Sequence, residues 1–315
     1  MRALPRRLPA LAAAAVLAIS LAACGSQAGA TPQVGGGRAA AFPVTLTTAN
    51  GPVTVKARPH AIISLSPAVT EMLYAIGAGS QVKAVDADSS FPPQAPRSKL
   101  SGLQPNIEAI VAAKPDLVVV SYGAPALAKR LAPFSIPVLD LPAPADLSGV
   151  YSEFTALGKA TGHPAAAQHE NASLRAQLTK IAASVPHAAS PVTYYYELDN
   201  TYYSLTSSTF VGKLLAMLGM KSIADTASGA AAAGGYPQLS AEYVLKAHPD
   251  YVILADTLCC HQDAATVAGR PGWPALSAVK NKHVIALNDD VASRWGPRIV
   301  TLLQTVAAAL RNGGR

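Results

Sequence analysis

Charge is sparse in this chain of 315 residues: only 14% is Asp, Glu, Lys or Arg, while half is hydrophobic. Such a composition can bury a core, which excludes wholesale disorder. The formal charge of +7 falls to +4 if Arg2, Arg6 and Arg7 leave with the N-terminus, and the remaining charges form no basic stripe. No nucleic-acid partner is therefore expected. Beyond the N-terminus no run of eighteen apolar residues occurs, so no membrane-spanning helix is expected there. Also missing are HExxH, GxSxG and a glycine-rich phosphate loop placed between strand and helix. Catalysis has little support on these grounds, and no cofactor is expected. Cysteine is scarce, with three residues in all.

What is present begins at the N-terminus. Arg2, Arg6 and Arg7 precede an apolar stretch, Leu8 to Ser20, that is too short to span a bilayer. It ends in Leu21-Ala22-Ala23-Cys24, which resembles a bacterial lipobox. That resemblance implies lipidation of Cys24 and removal of residues 1–23 as a signal peptide. Residues 24–57 read as a flexible tether and lead-in, rich in Gly, Ala, Ser and Gln up to Ala41. As a random coil, Gly25 to Ala41 reaches about 23 Å.

The chain repeats itself. Asn106–Val120 reads NIEAIVAAKPDLVVV and Ser240–Leu254 reads SAEYVLKAHPDYVIL. At a constant offset of 134, Glu108 matches Glu242, and Pro115-Asp116 matches Pro249-Asp250. Each copy predicts a helix capped by Asn106 or Ser240, a Pro-Asp turn and an apolar strand. Helices closed by glycine are expected at Thr70–Gly77 and Val211–Gly219. Strands are expected at Ile62–Leu65, Ile136–Leu141, Val192–Tyr196 and His283–Leu287.

Between the halves, residues 164–185 carry no internal Gly or Pro break. Leu174, Leu178, Ile181 and Val185 make one helical stripe. At 1.5 Å per residue this helix spans about 33 Å, the length of a strut between lobes. The fold class is thus α/β: two Rossmann-like lobes with open, parallel-rich sheets, one long joining helix and a cleft between lobes. The N-terminal lobe covers 58–163, the interlobe helix 164–186 and the C-terminal lobe 187–315.

This organisation resembles the helical-backbone class of ABC-importer substrate-binding proteins, whose cargoes are cobalamin, ferric siderophores or haem. The resemblance runs from about Arg58 to the C-terminus. It rests on Ser64-Leu65-Ser66-Pro67 with Thr70-Glu71, Phe91-Pro92-Pro93, Ile107-Glu108 with Lys114-Pro115-Asp116, Tyr236-Pro237 and Pro297-Arg298-Ile299. The cobalamin-binding members are the most alike, through SSFPPQAP, YPQLSAEYVL and SRWGPRI. Those members often have a Trp near Gly102-Leu103, where this sequence has none.

Ligands of open α/β sheets bind outside the carboxyl ends of the strands, so the loops there should line the cleft. Phe91 and Tyr122 are the candidates in the N-terminal lobe, and Tyr202, Tyr203 and Tyr236 in the C-terminal lobe. Flat rings with hydroxyl edges suit a large, partly apolar ligand. The resemblance implies ligand-facing places for Phe91, Tyr122 and Tyr236. It also implies that the loop carrying Asp290, Arg294 and Trp295 reaches the ligand; an ion pair between Asp290 and Arg294 is the competing reading. Glu108 and Glu242, one per lobe, would dock into Arg pockets of the permease, or simply favour their helix dipoles.

Cys259-Cys260-His261 lies outside the family pattern. The adjacent cysteines would either close a vicinal disulfide or, with His261, bind copper or zinc; the disulfide is favoured because CCH lacks the ligands of a structural zinc site. The reading as a whole is a lipid-anchored, monomeric, extracytoplasmic solute-binding protein. Its expected partners are an ABC permease with its ATPase, and a corrinoid or ferric siderophore as cargo. A Cu/Zn-handling protein or metal-dependent enzyme centred on Cys259, Cys260 and His261 is the alternative.

Overall fold

A computed structural model describes residues 41–48, 51–186 and 189–313, all within one compact unit. The signal peptide, Cys24 and the tether up to residue 40 lie outside the described residues.

Two four-stranded sheets carry the architecture, and both are wholly parallel. After an N-terminal hairpin of β1 (Val44–Thr48) and β2 (Gly51–Val55), the first lobe runs β3 (Ile62–Leu65), α1 (Pro67–Ala75), β4 (Val82–Val85) and α2 (Ile107–Ala112). It continues through β5 (Leu117–Val120), α3 (Ala124–Leu131), β6 (Val138–Asp140) and α4 (Leu147–Thr161). The long α5 (Pro164–Ala183) leads to β7 (Val192–Glu197), α6 (Phe210–Ala216), β8 (Met220–Ser222), α7 (Ala241–Ala247) and β9 (Tyr251–Leu254). Then come α8 (Ala264–Ala268), α9 (Ser277–Lys280), β10 (Val284–Ala286), α10 (Asp289–Ser293) and α11 (Ile299–Gly313).

Strand order is β4-β3-β5-β6 in one lobe and β8-β7-β9-β10 in the other, so the repeat is one of topology as well as sequence. The repeated Pro-Asp has a structural reason. Asp116 accepts from the amides of His60 and Ala61 at 2.6 and 2.9 Å, closing the start of β3. Asp250 accepts from the Thr193 amide and hydroxyl at 2.8 and 2.7 Å, closing the start of β7. The expected caps form: Asn106 accepts from the Ala109 amide and Ser240 from the Tyr243 amide. Gly77 and Gly219 end equivalent helices at φ of +80° and +75°, a conformation that penalises any side chain.

Period-2 alternation divides each sheet between two cores. Leu117 and Val119 of β5 face a central core, while Val118 and Val120 face an outer one. In the second lobe Tyr194 and Tyr196 point to that same central core, and Tyr195 to a separate outer one. Three of the clustered tyrosines are therefore fully buried packing residues.

The central core is continuous through both lobes, with α1, α4, α5, α6 and α11 contributing to it. The stripe Leu174, Leu178 and Ile181 buries α5 between α4 and α11. Each fully buried Leu contributes about 1.5–3 kcal/mol there. The joining helix is thus flanked on both sides. The segment read as lead-in is also more structured than expected. Its hairpin places Leu46 and Val55 in the central core, against α4. Among the described residues no helix is long and apolar enough to cross a membrane.

Candidate functional site

The carboxyl ends of both sheets open on one cleft. Among the described residues seven large apolar side chains are exposed, and six of them sit on loops that follow strand ends. Phe91 and Leu103 follow β4, Tyr122 follows β5, Tyr203 follows β7, Tyr236 follows β8 and Leu258 follows β9. They are 40–75% exposed; the seventh, Phe134, lies after α3 at the opposite end. Such residues clustered on one face need an explanation beyond chance exposure.

Local structure fixes these walls. The loops after β7 and β8 pair through an antiparallel bridge between Tyr203 and Gln238, which puts Tyr203 and Tyr236 on one wall. Burial raises the Tyr236 hydroxyl above its ordinary range, and Tyr122 of the other lobe adds to the effect. Phe91 is held from beneath by the Arg298 guanidinium, 4.7 Å from its ring centre. Tyr202 does not join this group. It turns at φ +72° and packs at 6.3 Å from the buried Trp273 ring, half-buried against the outer core of its lobe.

One end of the cleft deepens into a cavity of about 380 Å³ walled by both lobes, with Leu103 and Tyr122 on one side and Asp290, Arg294 and Trp295 on the other. Gly102 forms part of its floor, where a Cβ would lie 2.6 Å from the Leu65 carbonyl oxygen. Larger concavities of about 700 and 570 Å³ open where the strands begin, around the Asp250 and Asp116 clamps. They lie away from the strand ends at which this fold binds ligands.

Arg294 lines the cavity between the lobes, 9% exposed, and both of its Nη atoms are held by protein groups. Its Nη1 donates to Glu71 Oε1 at 3.2 Å and Ser90 Oγ at 3.1 Å. Its Nη2 donates to the Asp88 carbonyl at 2.8 Å and Asp290 Oδ1 at 2.6 Å. Asp290 also accepts from the Ser90 hydroxyl. Arg298 completes the group by donating to both oxygens of the buried Glu71, at 2.9 and 2.6 Å. The competing reading of Asp290 and Arg294 as an ion pair is the one observed, enlarged into a clasp between lobes. Trp295 likewise crosses the cleft, its Nε1 donating to Glu153 Oε2 of α4 at 2.9 Å. Burial pushes the Glu153 carboxyl up to about 8; the Trp295 bond opposes this and Asp140 adds to it.

Glu71, Ser90, Arg298 and Glu153 are not among the residues expected from the sequence to form the site, although Thr70-Glu71 and Pro297-Arg298 belong to its motifs. A buried cross-lobe pair has no local signature. Leu103 and Leu258 were also missed, because a single Leu in a loop carries no pattern.

Glu108 and Glu242 occupy equivalent first turns of α2 and α7, and both are exposed. Helix-end hydrogen bonds hold the Glu242 carboxyl below its ordinary range. Cys259 and Cys260 are free thiols. No group of three or more His, Cys, Asp or Glu placed to hold a metal ion occurs among the described residues.

Two parallel-sheet lobes, one shared core and an aromatic cleft between them define a two-lobed solute-binding protein. The chain belongs to the periplasmic binding protein family, whose pattern it matches over residues 62–291. It is 29% identical to the ABC transporter substrate-binding lipoprotein YvrC of Bacillus subtilis (strain 168), over 95% of each chain. It is 30% identical to a cobalamin-binding protein of Halobacterium salinarum, over 87% of this chain and 76% of that one. The crystal structure of the periplasmic vitamin B12 binding protein BtuF of Vibrio cholerae superposes with a TM-score of 0.66 at 26% identity, covering 82% of this chain and 99% of that one.

Proposed function

We propose that this protein captures a corrinoid outside the cytoplasm and delivers it to an ABC permease. The observation that carries this is the ring of exposed apolar side chains on both walls of the cleft. A flat, wide, partly apolar cargo covers Phe91, Tyr122, Tyr203 and Tyr236 together, and Leu103 and Leu258 extend the contact. Stacking of rings on such a cargo uses their faces and leaves the hydroxyls for its polar edges. A cavity of about 380 Å³ holds one edge of it. The likeness to cobalamin-binding relatives supports the same cargo.

The reaction is binding, without covalent chemistry. Glu108 and Glu242 stand one on each lobe and engage the permease, whose ATPase drives release. Lipid on Cys24 holds the protein at the membrane, in keeping with the lipoprotein relative. It works as a monomer, with no cofactor of its own.

Calorimetric titration with cyanocobalamin, ferric hydroxamate and catecholate siderophores, and haem tests this. One-to-one saturable binding of cyanocobalamin is expected. Binding of an iron chelate or haem alone would keep the class of protein and replace the cargo, and no binding at all would overturn the corrinoid reading while leaving the fold and family as they are.

A further inference from the structure

The loop after β9 carries a feature that cargo binding does not use. Leu258, Cys259, Cys260 and His261 follow one another on the rim of the C-terminal lobe. Cys259 is exposed and Cys260 half-buried. The two thiols sit on consecutive residues of the loop. The loop hangs from Asp289 at the start of α10. That carboxylate accepts from the Leu258 and Cys259 amides at 2.9 Å each and from the Thr257 hydroxyl at 3.0 Å. Burial acts to raise the Asp289 carboxyl, but these amides outweigh it and hold the group below the ordinary carboxylate range. On the other side the Cys260 amide donates to the Asp256 carbonyl, and Gln262 Nε2 donates to the Cys260 carbonyl at 2.8 Å.

We infer that Cys259 and Cys260 are a reversible disulfide-modification site, whose closure releases the rim loop from Asp289. The inference rests on the extracytoplasmic reading above, which places the thiols where disulfides persist.

Adjacent Cα atoms lie about 3.8 Å apart across a trans peptide, shorter than the usual disulfide range of about 4.4–6.8 Å. A bond between neighbours is therefore strained, and strained, exposed disulfides are the reducible, regulatory ones. Closing the ring reorients the peptide between the two cysteines. That peptide carries the Cys260 amide bonded to the Asp256 carbonyl, and next to it stands the Cys259 amide bonded to Asp289. Asp289 neighbours Asp290, a member of the interlobe clasp, so the rim loop and the clasp share one helix start.

The chemistry balances with a small disulfide, such as glutathione disulfide, as oxidant. The first attack is made by the thiolate of Cys260. It breaks the glutathione S–S bond, forms a mixed disulfide and expels one glutathione thiolate. Cys259 then gives up its proton to solvent, attacks the Cys260 sulfur and expels the second. Two electrons pass from the protein to the glutathione pair, and two protein thiol protons end on the two glutathiones.

The test uses the full chain carrying Cys24→Ala, so that only these two thiols remain, equilibrated in glutathione buffers of varied ratio. The expected result is a monomer that loses both thiols together and the mass of two hydrogens, and recovers them as reduced glutathione rises. Amide exchange at Leu258 and Cys259 should be faster in the oxidised form. Two thiols that stay free at every ratio, stable glutathione adducts or disulfide-linked dimers would overturn the site. Unchanged exchange in the oxidised monomer would overturn release from Asp289. Neither readout needs a cargo, so failure here is distinct from failure of the corrinoid reading.

Discussion

Replacing Glu153 with Gln should change how stability depends on pH. Glu153 is 6% exposed on α4, and its carboxyl is pushed from 4.5 up to about 8. The folded chain therefore holds this proton more tightly than the unfolded chain does. Its stabilising effect is complete below the unfolded value and is lost as pH rises toward the folded one. At 1.36 kcal/mol per unit, folding loses on the order of 3–4 kcal/mol between pH 5 and pH 8 through this residue. For a chain of this size that is a fall in Tm of about 7 °C, at about 2 °C per kcal/mol. Gln keeps an oxygen to accept from Trp295 Nε1 and cannot ionise. Thermal unfolding by circular dichroism at pH 5 and pH 8 should show Glu153→Gln gaining on the parent by about 7 °C at the higher pH. Asp256 is also pushed up, to about 7, and tilts both proteins alike, so the difference between them is the quantity to read. An equal offset at both pH values would refute the claim that Glu153 is held protonated by burial.

Three further outcomes follow from the cleft and the clasp. Tyr122→Ala and Tyr236→Ala should each weaken cyanocobalamin binding about tenfold, or about 1.4 kcal/mol, by calorimetry, whereas Tyr202→Phe should leave it unchanged. Glu71→Ala strips the buried Arg294 and the half-buried Arg298 of their shared partner and should lower unfolding free energy in urea by about 3 kcal/mol; no change would remove the clasp as a stabilising element. Glu108→Ala with Glu242→Ala should abolish cargo uptake by cells while cargo affinity of the purified protein stays at the parent level.

Much of the fold was legible because its signals are local or repeated. The apolar runs Leu117–Val120 and Tyr251–Leu254 are β5 and β9, and Asn106 and Ser240 cap the helices before them. The short edge strands β4 and β8 were not located, since VKAV and MKS carry an exposed Lys in a run too brief to show a period. The hairpin β1–β2 was read as lead-in, because its only pull toward order is Leu46 and Val55 packing on a helix a hundred residues later.

The site divides in the same way. Sequence alone determined the duplicated parallel topology, the long joining helix and the aromatic loops Phe91, Tyr122, Tyr203 and Tyr236, because strand order dictates which loops share an end of the sheet. Tertiary structure alone decided which polar groups remain free. Arg294 and Asp290 stand in the cavity wall, and Glu71 and Ser90, some two hundred residues away along the chain, bond to them when the lobes meet. Tyr202 and Tyr203 are neighbours of equal chemistry, and a left-handed backbone at one sends it to Trp273 and leaves the other in the cleft. Residue type and spacing are carried along the chain, whereas the partners that neutralise a charge or bury a ring arrive only through folding.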